Sequence, residues 1–133
     1  MIFLSFQILN TKVIFYAMSK LLGKTSGLLT FEEFDINIGG GFLVQSFTAP
    51  ISGIYKMTFS GTIAFENDKT SIDVRKNGNV MFSFSNQAED AYISYTWMME
   101  LDVGDRVNLW STNALYATSD FPMTFTGELI HID

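Results

Sequence analysis

The sequence predicts an all-β protein, a sandwich or barrel of short strands, on three observations. Apolar and polar residues alternate with period two along most of the 133 residues, the pattern of strands with one face on a core and the other toward solvent. Turn-forming Gly, Asn and Asp recur between these stretches, most clearly at Asn77-Gly78 and Gly104-Asp105, and they punctuate strands rather than helices. No stretch sustains a helical period; only Ala17 to Leu22 admits a helical reading, and Gly23 ends it. Short strands at regular spacing, with such turns and no helices between them, indicate a sandwich or barrel.

The elements follow in chain order. Met1 to Leu9 is apolar but interrupted by Ser5 and Gln7, without a basic leader or a small-residue cleavage pattern, so no signal peptide is expected there. Leu4, Phe6 and Ile8 fall on one face, which makes the stretch within residues 1–12 an edge strand or a lead-in to the domain that follows. From Tyr55 to Phe65, Tyr55, Met57, Phe59, Ile63 and Phe65 face one way; Lys56, Thr58, Ser60, Thr62 and Glu66 face the other, with Gly61 marking a bulge or a close approach. Ile72 and Val74 lead into Asn77-Gly78 and out to Phe82 and Phe84, a hairpin whose turn needs positive φ. Ile93, Tyr95, Trp97, Met99 and Leu101 form a further stripe. It ends at Gly104-Asp105, after which Val107 and Leu109 alternate with Asn108 and Trp110. The last stripe is Met123, Phe125, Gly127 and Leu129, starting just after Pro122. Tyr55, Phe59 and Phe125 are core residues on this phase.

Composition narrows the function. At 47% hydrophobic, 15% aromatic and 17% charged residues, the chain is too apolar for disorder and long enough for one domain. A net charge of -6 opposes binding to phosphate backbones and anionic lipid, so neither nucleic acid nor membrane insertion is expected. Apolar runs such as Val13 to Met18 are too short to cross a bilayer as a helix. The absence of Cys excludes disulfides, thiolate metal sites and thiol nucleophiles.

Phe31, Asn37, Phe42, Phe47, Gly53, Tyr55 and Phe59 occur in an order that resembles the signature of the complement-1q globular head, most closely in Phe47-Thr-Ala-Pro-Ile-Ser-Gly-Ile-Tyr55. Leu101-Asp-Val-Gly-Asp-Arg-Val107 looks like that family's pre-terminal hairpin, Phe125-Thr-Gly-Glu-Leu-Ile130 like its final strand, and Val13-Ile-Phe15 lies where its first strand would be. The resemblance covers residues 13 to 133 and implies an antiparallel two-sheet jelly roll of ten strands, of the C1q and tumour-necrosis-factor type. It adds Phe15 to the core and implies a homotrimer outside the cell, often at the end of a stalk. Three departures stand out. The Phe42–Phe47 interval is two residues short, which calls for a tighter turn. Met57 replaces an aromatic residue. Glu128 stands where the final strand usually carries Phe, so its carboxylate must be solvated or paired.

His131, the sole histidine, lies near the end of a terminal strand and reads as a rim residue rather than a general base; no enzyme activity is expected. Gly39-Gly-Gly41 lacks the Lys-Ser or Lys-Thr of a phosphate loop and reads as a turn beside Asn37. Glu89, Asp90 and Asp120 fall in loops similar in position to those through which some relatives hold calcium; the alternative is solvated turns. No cofactor is required on this reading. Tyr92, Trp110 and Tyr116 lie off the core stripes and suit either a ligand or a neighbouring subunit. With 13 Phe, 5 Tyr and 2 Trp, the chain has more aromatic surface than one small core hides. The expectation is a trimeric recognition domain that binds glycans, microbial surfaces or proteins by multivalent contacts, or alternatively a head that trimerises a larger assembly.

Overall fold

The computed structural model describes residues 12–20, 23–63, 69–87 and 91–133, and the edge strand or lead-in expected for residues 1–12 lies outside them but for Lys12. Among the described residues eleven strands are formed: β1 (Ile14–Ser19), β2 (Gly23–Leu28), β3 (Glu33–Ile38), β4 (Phe42–Leu43), β5 (Ser46–Thr48), β6 (Gly53–Ile63), β7 (Ser71–Lys76), β8 (Asn79–Ser85), β9 (Tyr92–Leu101), β10 (Arg106–Ala117) and β11 (Met123–Ile132). That is one more than the ten implied, with β4 and β5 only two and three residues long. The ladders are antiparallel and fall into two layers. The first runs β3-β1-β11-β6-β9. In the second, β10 is central, with β7 and β8 on one side and β2 and β5 on the other. A short ladder, Leu115 and Tyr116 against Ile63 and Thr62, joins the layers at a corner.

Alternation produces these strands as read. Tyr55, Met57, Phe59 and Ile63 are buried along β6 while Lys56 is exposed. The ladder to β9 passes Gly61 without a register shift, and a Cβ there would lie 3.0 Å from Phe59 Cζ, so Gly61 marks a close approach rather than a bulge. Asn77 and Gly78 both take positive φ, 52° and 86°, as a two-residue hairpin turn requires. Phe42 pairs with Phe47 and Leu43 with Ser46, which leaves only Val44 and Gln45 in the turn, the tightening that the short interval called for. Ala17 to Ser19, open to a helical reading, belong to β1.

The pre-terminal hairpin is corrected. A turn joins β9 to β10 at Gly104, but β9 pairs with β6 in the first layer and β10 with β7 in the second. The turn is tied to the β5–β6 connection instead: Ala49 N–H donates to Asp105 O at 2.9 Å, Gly104 N–H to Ala49 O at 2.8 Å, and Val103 N–H to Ser52 Oγ at 2.8 Å. Two stripes separated by a turn state which faces are buried, and not which strands are neighbours.

Between the layers lies an aromatic core. The Phe15 ring sits 4.9 Å from Phe42, 4.7 Å from Phe47 and 5.1 Å from Phe125, thus joining β1 and β11 to β4 and β5. Gly127 makes room for it, since a Cβ at that position would overlap the Phe15 ring. Tyr55 is fully buried and donates its hydroxyl to Ile51 O at 2.6 Å, satisfying the one polar atom that its burial would otherwise strand.

One end of the sandwich is clamped by side chains. Asp105 accepts from Asn77 Nδ2 at 2.9 Å and from Asp102 N–H at 2.8 Å, with Lys76 Nζ 3.7 Å away. Asn77 in turn holds the Arg106 backbone on both sides, accepting its N–H at 2.9 Å and donating N–H to its carbonyl at 2.8 Å. The hydrogen bonds from Asn77 and then Asp102 hold the Asp105 carboxyl below its usual value of 3.8.

Two tests follow from this packing. Gly127→Ala displaces the Phe15 ring and is expected to destabilise the domain by about 1–3 kcal/mol. The loss should shrink when Phe15→Leu accompanies it, and strictly additive losses in urea unfolding would contradict the contact. Phe59→Ala, which empties a fully buried site, should cost about 3–5 kcal/mol. For the clamp, a carboxyl with a depressed folded-state pKa stabilises above its unfolded value, and that contribution is lost as the pH falls through the folded value. Asp105→Ala should therefore melt below the parent at neutral pH, with the gap closing well under 3.8; a gap independent of pH would rule out the carboxylate as its origin.

Candidate functional site

The strand ends opposite that clamp gather several of the residues singled out in the sequence. Thr62 pairs with Tyr92 of β9 on one side and with Tyr116 of β10 on the other. Directly opposed residues share a face, so the two tyrosines flank one threonine across β6, and both are exposed, Tyr92 at 67%. Beside Tyr92 lies a recess of about 380 Å³ lined by Ser60, Gly61, Thr62, Tyr92, Asp120, Phe121 and Pro122. Phe121, 64% exposed, is held there by its own loop: its N–H donates to Thr118 Oγ1 at 3.2 Å and its carbonyl accepts from Thr118 N–H at 3.2 Å. Two aromatic faces can stack on the C–H face of a ring, while three hydroxyls and one carboxylate accept or donate hydrogen bonds at its rim.

Trp110 does not join this group. It lies on the outward face of β10 opposite Asp73, with the Arg75 guanidinium 4.4 Å from its ring centre and the Gly27 Cβ position 3.7 Å from its Cζ2. Gly27 takes φ of 79°, and the indole is occupied as a cation–π platform. Of the calcium candidates, Asp120 lines the recess, while Glu89 and Asp90 lie outside the described residues. Among the described residues no three His, Cys, Asp or Glu side chains cluster as metal ligands do. His131 is exposed near the end of β11, away from the Tyr92 recess.

Two further surfaces carry apolar groups at the exterior. On the outward face of the first layer a cross-strand row runs Ile38, Ile14, Glu128, Lys56, Met98, each the register partner of the next. Ile36 and Tyr16 form the start of the next row, and a shallow recess of about 400 Å³ opens over Ile14, Tyr16, Ile36, Lys56 and Glu128. The Glu128 residue is exposed to water and has Lys56 as its register partner. The second surface is the open edge between β8 and β9. There Phe84 stacks on Tyr95 at 4.9 Å and Phe82 meets Trp97 edge-on at 5.7 Å. Tyr95 remains 47% exposed, and the buried Trp97 Nε1 has no acceptor.

Phe121, the Ile36–Ile38 stripe and the β8–β9 edge were missed in the sequence. Phe121 had a signal, being an aromatic residue in the loop just before Pro122. Phe34, Ile36 and Ile38 alternate as a strand would, but β3 is an edge whose six residues are all exposed, and only pairing shows which side they line.

Comparison with known proteins agrees with this architecture. The C1q domain family model matches residues 14–130. Mouse complement C1q tumor necrosis factor-related protein 3 is 31% identical over 113 residues, which cover 80% of this chain; the chain spans about half of that relative, 46% of its length. Among solved structures, the globular domain of zebrafish complement 1qA superposes with a TM-score of 0.70 at 16% identity, covering 92% of this chain and 99% of that one. Murine APRIL at pH 5.0 gives 0.66 at 15% identity over 90% and 100%. Eiger TNF from S. frugiperda gives 0.66 at 10% identity over 92% and 95%. With the jelly roll, the aromatic core and a family match over nearly all of its length, this chain belongs to the C1q domain family.

Proposed function

We propose that this domain is a non-enzymatic, homotrimeric recognition module that acts outside the cell. Each subunit offers the Tyr92–Phe121 recess to a saccharide or to a protein surface. Domains of this family form trimers, and the observation that carries the reading here is the pair of unlike apolar surfaces on one subunit. The β8–β9 edge, with Tyr95 half-exposed and Trp97 Nε1 lacking an acceptor, differs from the Ile14, Ile36, Ile38 and Met98 face. A contact between two different patches is heterologous, and it closes into a ring when the rotation permits. Setting the edge of one copy against the face of the next buries the exposed part of both surfaces, Tyr95 on one side and Ile36, Ile38 and Met98 on the other. Three copies of a weak recess then bind a multivalent surface far more tightly than one.

Static light scattering is expected to give about three times the 15.0 kDa chain mass. Ile36→Asp, on the outward face, should yield a folded monomer, because Ile36 is already 41% exposed in a single subunit. A monomeric parent would end the trimer reading. On a neutral-glycan array, Tyr92→Ala should lose the parent's binding while it keeps the trimer mass. Binding unaltered by Tyr92→Ala would move the ligand away from this recess, and binding to no glycan would favour the assembly-head reading. Calorimetric titration with calcium chloride tests the expectation placed on Glu89, Asp90 and Asp120; no heat and an unchanged melting temperature with chelator would remove it.

A further inference from the structure

From the clamped end of the sandwich we infer a second ligand site, specific for a carboxylate carried on a saccharide, with Arg106 as its anchor. The turns after β7 and β9 flank an open recess of about 450 Å³ lined by Asn77, Gly78, Gly104, Arg106 and Asn108, room for a group the size of a monosaccharide. Both turn glycines take positive φ, 86° and 90°. No atom lies within 4 Å of where a Cβ would be on either, so the floor is bare backbone open to solvent.

Arg106 is placed to receive an anion. Its backbone is fixed at both N–H and carbonyl by Asn77, and its side chain is exposed. Among the described residues the ion pairs are Lys20 with Glu33 and Lys76 with Asp105, and no described carboxylate engages the Arg106 guanidinium. Asp105, the adjacent acid, is already taken by Asn77, Asp102 N–H and Lys76. Asn108, two residues along the same face of β10, pairs with Arg75, which lies over Trp110 with its buried Nε lacking an acceptor. Arg75, Lys76 and Arg106 thus collect three of the eight basic residues of a chain whose net charge is -6.

The chemistry selects the ligand. A planar guanidinium matches a planar carboxylate through two parallel N–H···O bonds, and the Asn108 carboxamide can both donate to and accept from neighbouring hydroxyls. One exposed guanidinium with neither a carboxylate nor a ring against it among the described residues suits one carboxylate on an otherwise neutral, hydroxyl-rich group, rather than a polyphosphate. A uronic-acid residue has that composition. The recess is built from β7, β10 and their turns, apart from the outward face of the first layer and the β8–β9 edge proposed for subunit contact. The inference rests on the reading of the domain as a recognition module, and not on the Tyr92 recess.

The test is calorimetric titration of the full chain at low salt with an oligosaccharide ending in glucuronic acid and with its glucose-ended counterpart. With the other recess disabled by Tyr92→Ala, only the acidic sugar is expected to bind. Arg106→Gln should weaken it about tenfold or more, the loss of a charge-assisted pair, and leave the melting temperature unchanged because the Asn77 bonds are to backbone. Lys69→Gln, an equal charge change before the far end of β7, should bind like the parent, as should Tyr92→Ala, which separates this site from the other recess. Equal affinity for the two sugars, no binding of either, or full affinity in Arg106→Gln would overturn the assignment. So would a peptide with a free C-terminal carboxylate that binds while the sugars do not.

Discussion

The structure depends on one ring held between two sheets. Phe15 comes from the first layer and touches Phe42 and Phe47 of the second as well as Phe125 beside it, so the spacing of the layers is set where these rings meet. Sheets in a sandwich pack about 10 Å apart, and a ring turned inward from one layer fills that gap only if the residue next to it yields volume. Gly127, the register partner of Phe15 on β11, does so. The other large rings follow: Phe31 packs on Phe42 and Phe125, Trp97 stacks on Phe125, and Phe84 lies against Trp97 and Phe59. One continuous aromatic layer runs from the β4–β5 hairpin to the open edge of β8 and β9. There it ends on Tyr95, half in water, and the surface available to a neighbour is the unfinished margin of the core.

How much of this could be read in advance depended on the range of each interaction. Burial phase is local, so Tyr55, Phe59 and Phe125 were placed in the core from alternation, and Phe15 from the family resemblance. The Asn77-Gly78 turn was legible because two adjacent positive φ values restrict which residues can occupy it. Strand partnership is long-range, which is why the β9–β10 turn was taken for part of a hairpin when it crosses between layers. The same limit applied to the site. Tyr92 and Tyr116 were singled out separately, but their common neighbour Thr62 belongs to a third strand. Asp120 reaches the recess through the loop before β11, and no spacing along the chain encodes that. Trp110 was chosen by the same reasoning as Tyr92 and proved to be occupied by Arg75, a contact supplied by the register of β7 on β10.

Glu128 shows how a polar residue can sit in an apolar setting without breaking it. It lies between Ile14 and Lys56 in the cross-strand row, and opposite charges directly across a ladder attract by a few tenths to about 1 kcal/mol when exposed. Covering the row with a second subunit would remove water from both charges. Opposite charges in register there contribute little net affinity but penalise any packing that separates them. The departure from the aromatic residue usual at this position therefore shifts the face from adhesion toward register.

Recognition at the clamped end benefits from a different economy. Loops that close over a ligand lose entropy on binding, and affinity falls accordingly. Here Asp105 and Asn77 have already fixed the two turns to each other, and Ala49 and Ser52 fix the second turn to the β5–β6 connection. The ordering cost is met during folding, so the free Arg106 side chain is the main group left to immobilise. The glycines at the turn tips take no part in the ladders and carry no side chain into the recess. Residues around it can thus change without disturbing Phe15 and its neighbours, while any change at Asn77 or Asp105 alters the recess and the stability of the turns together.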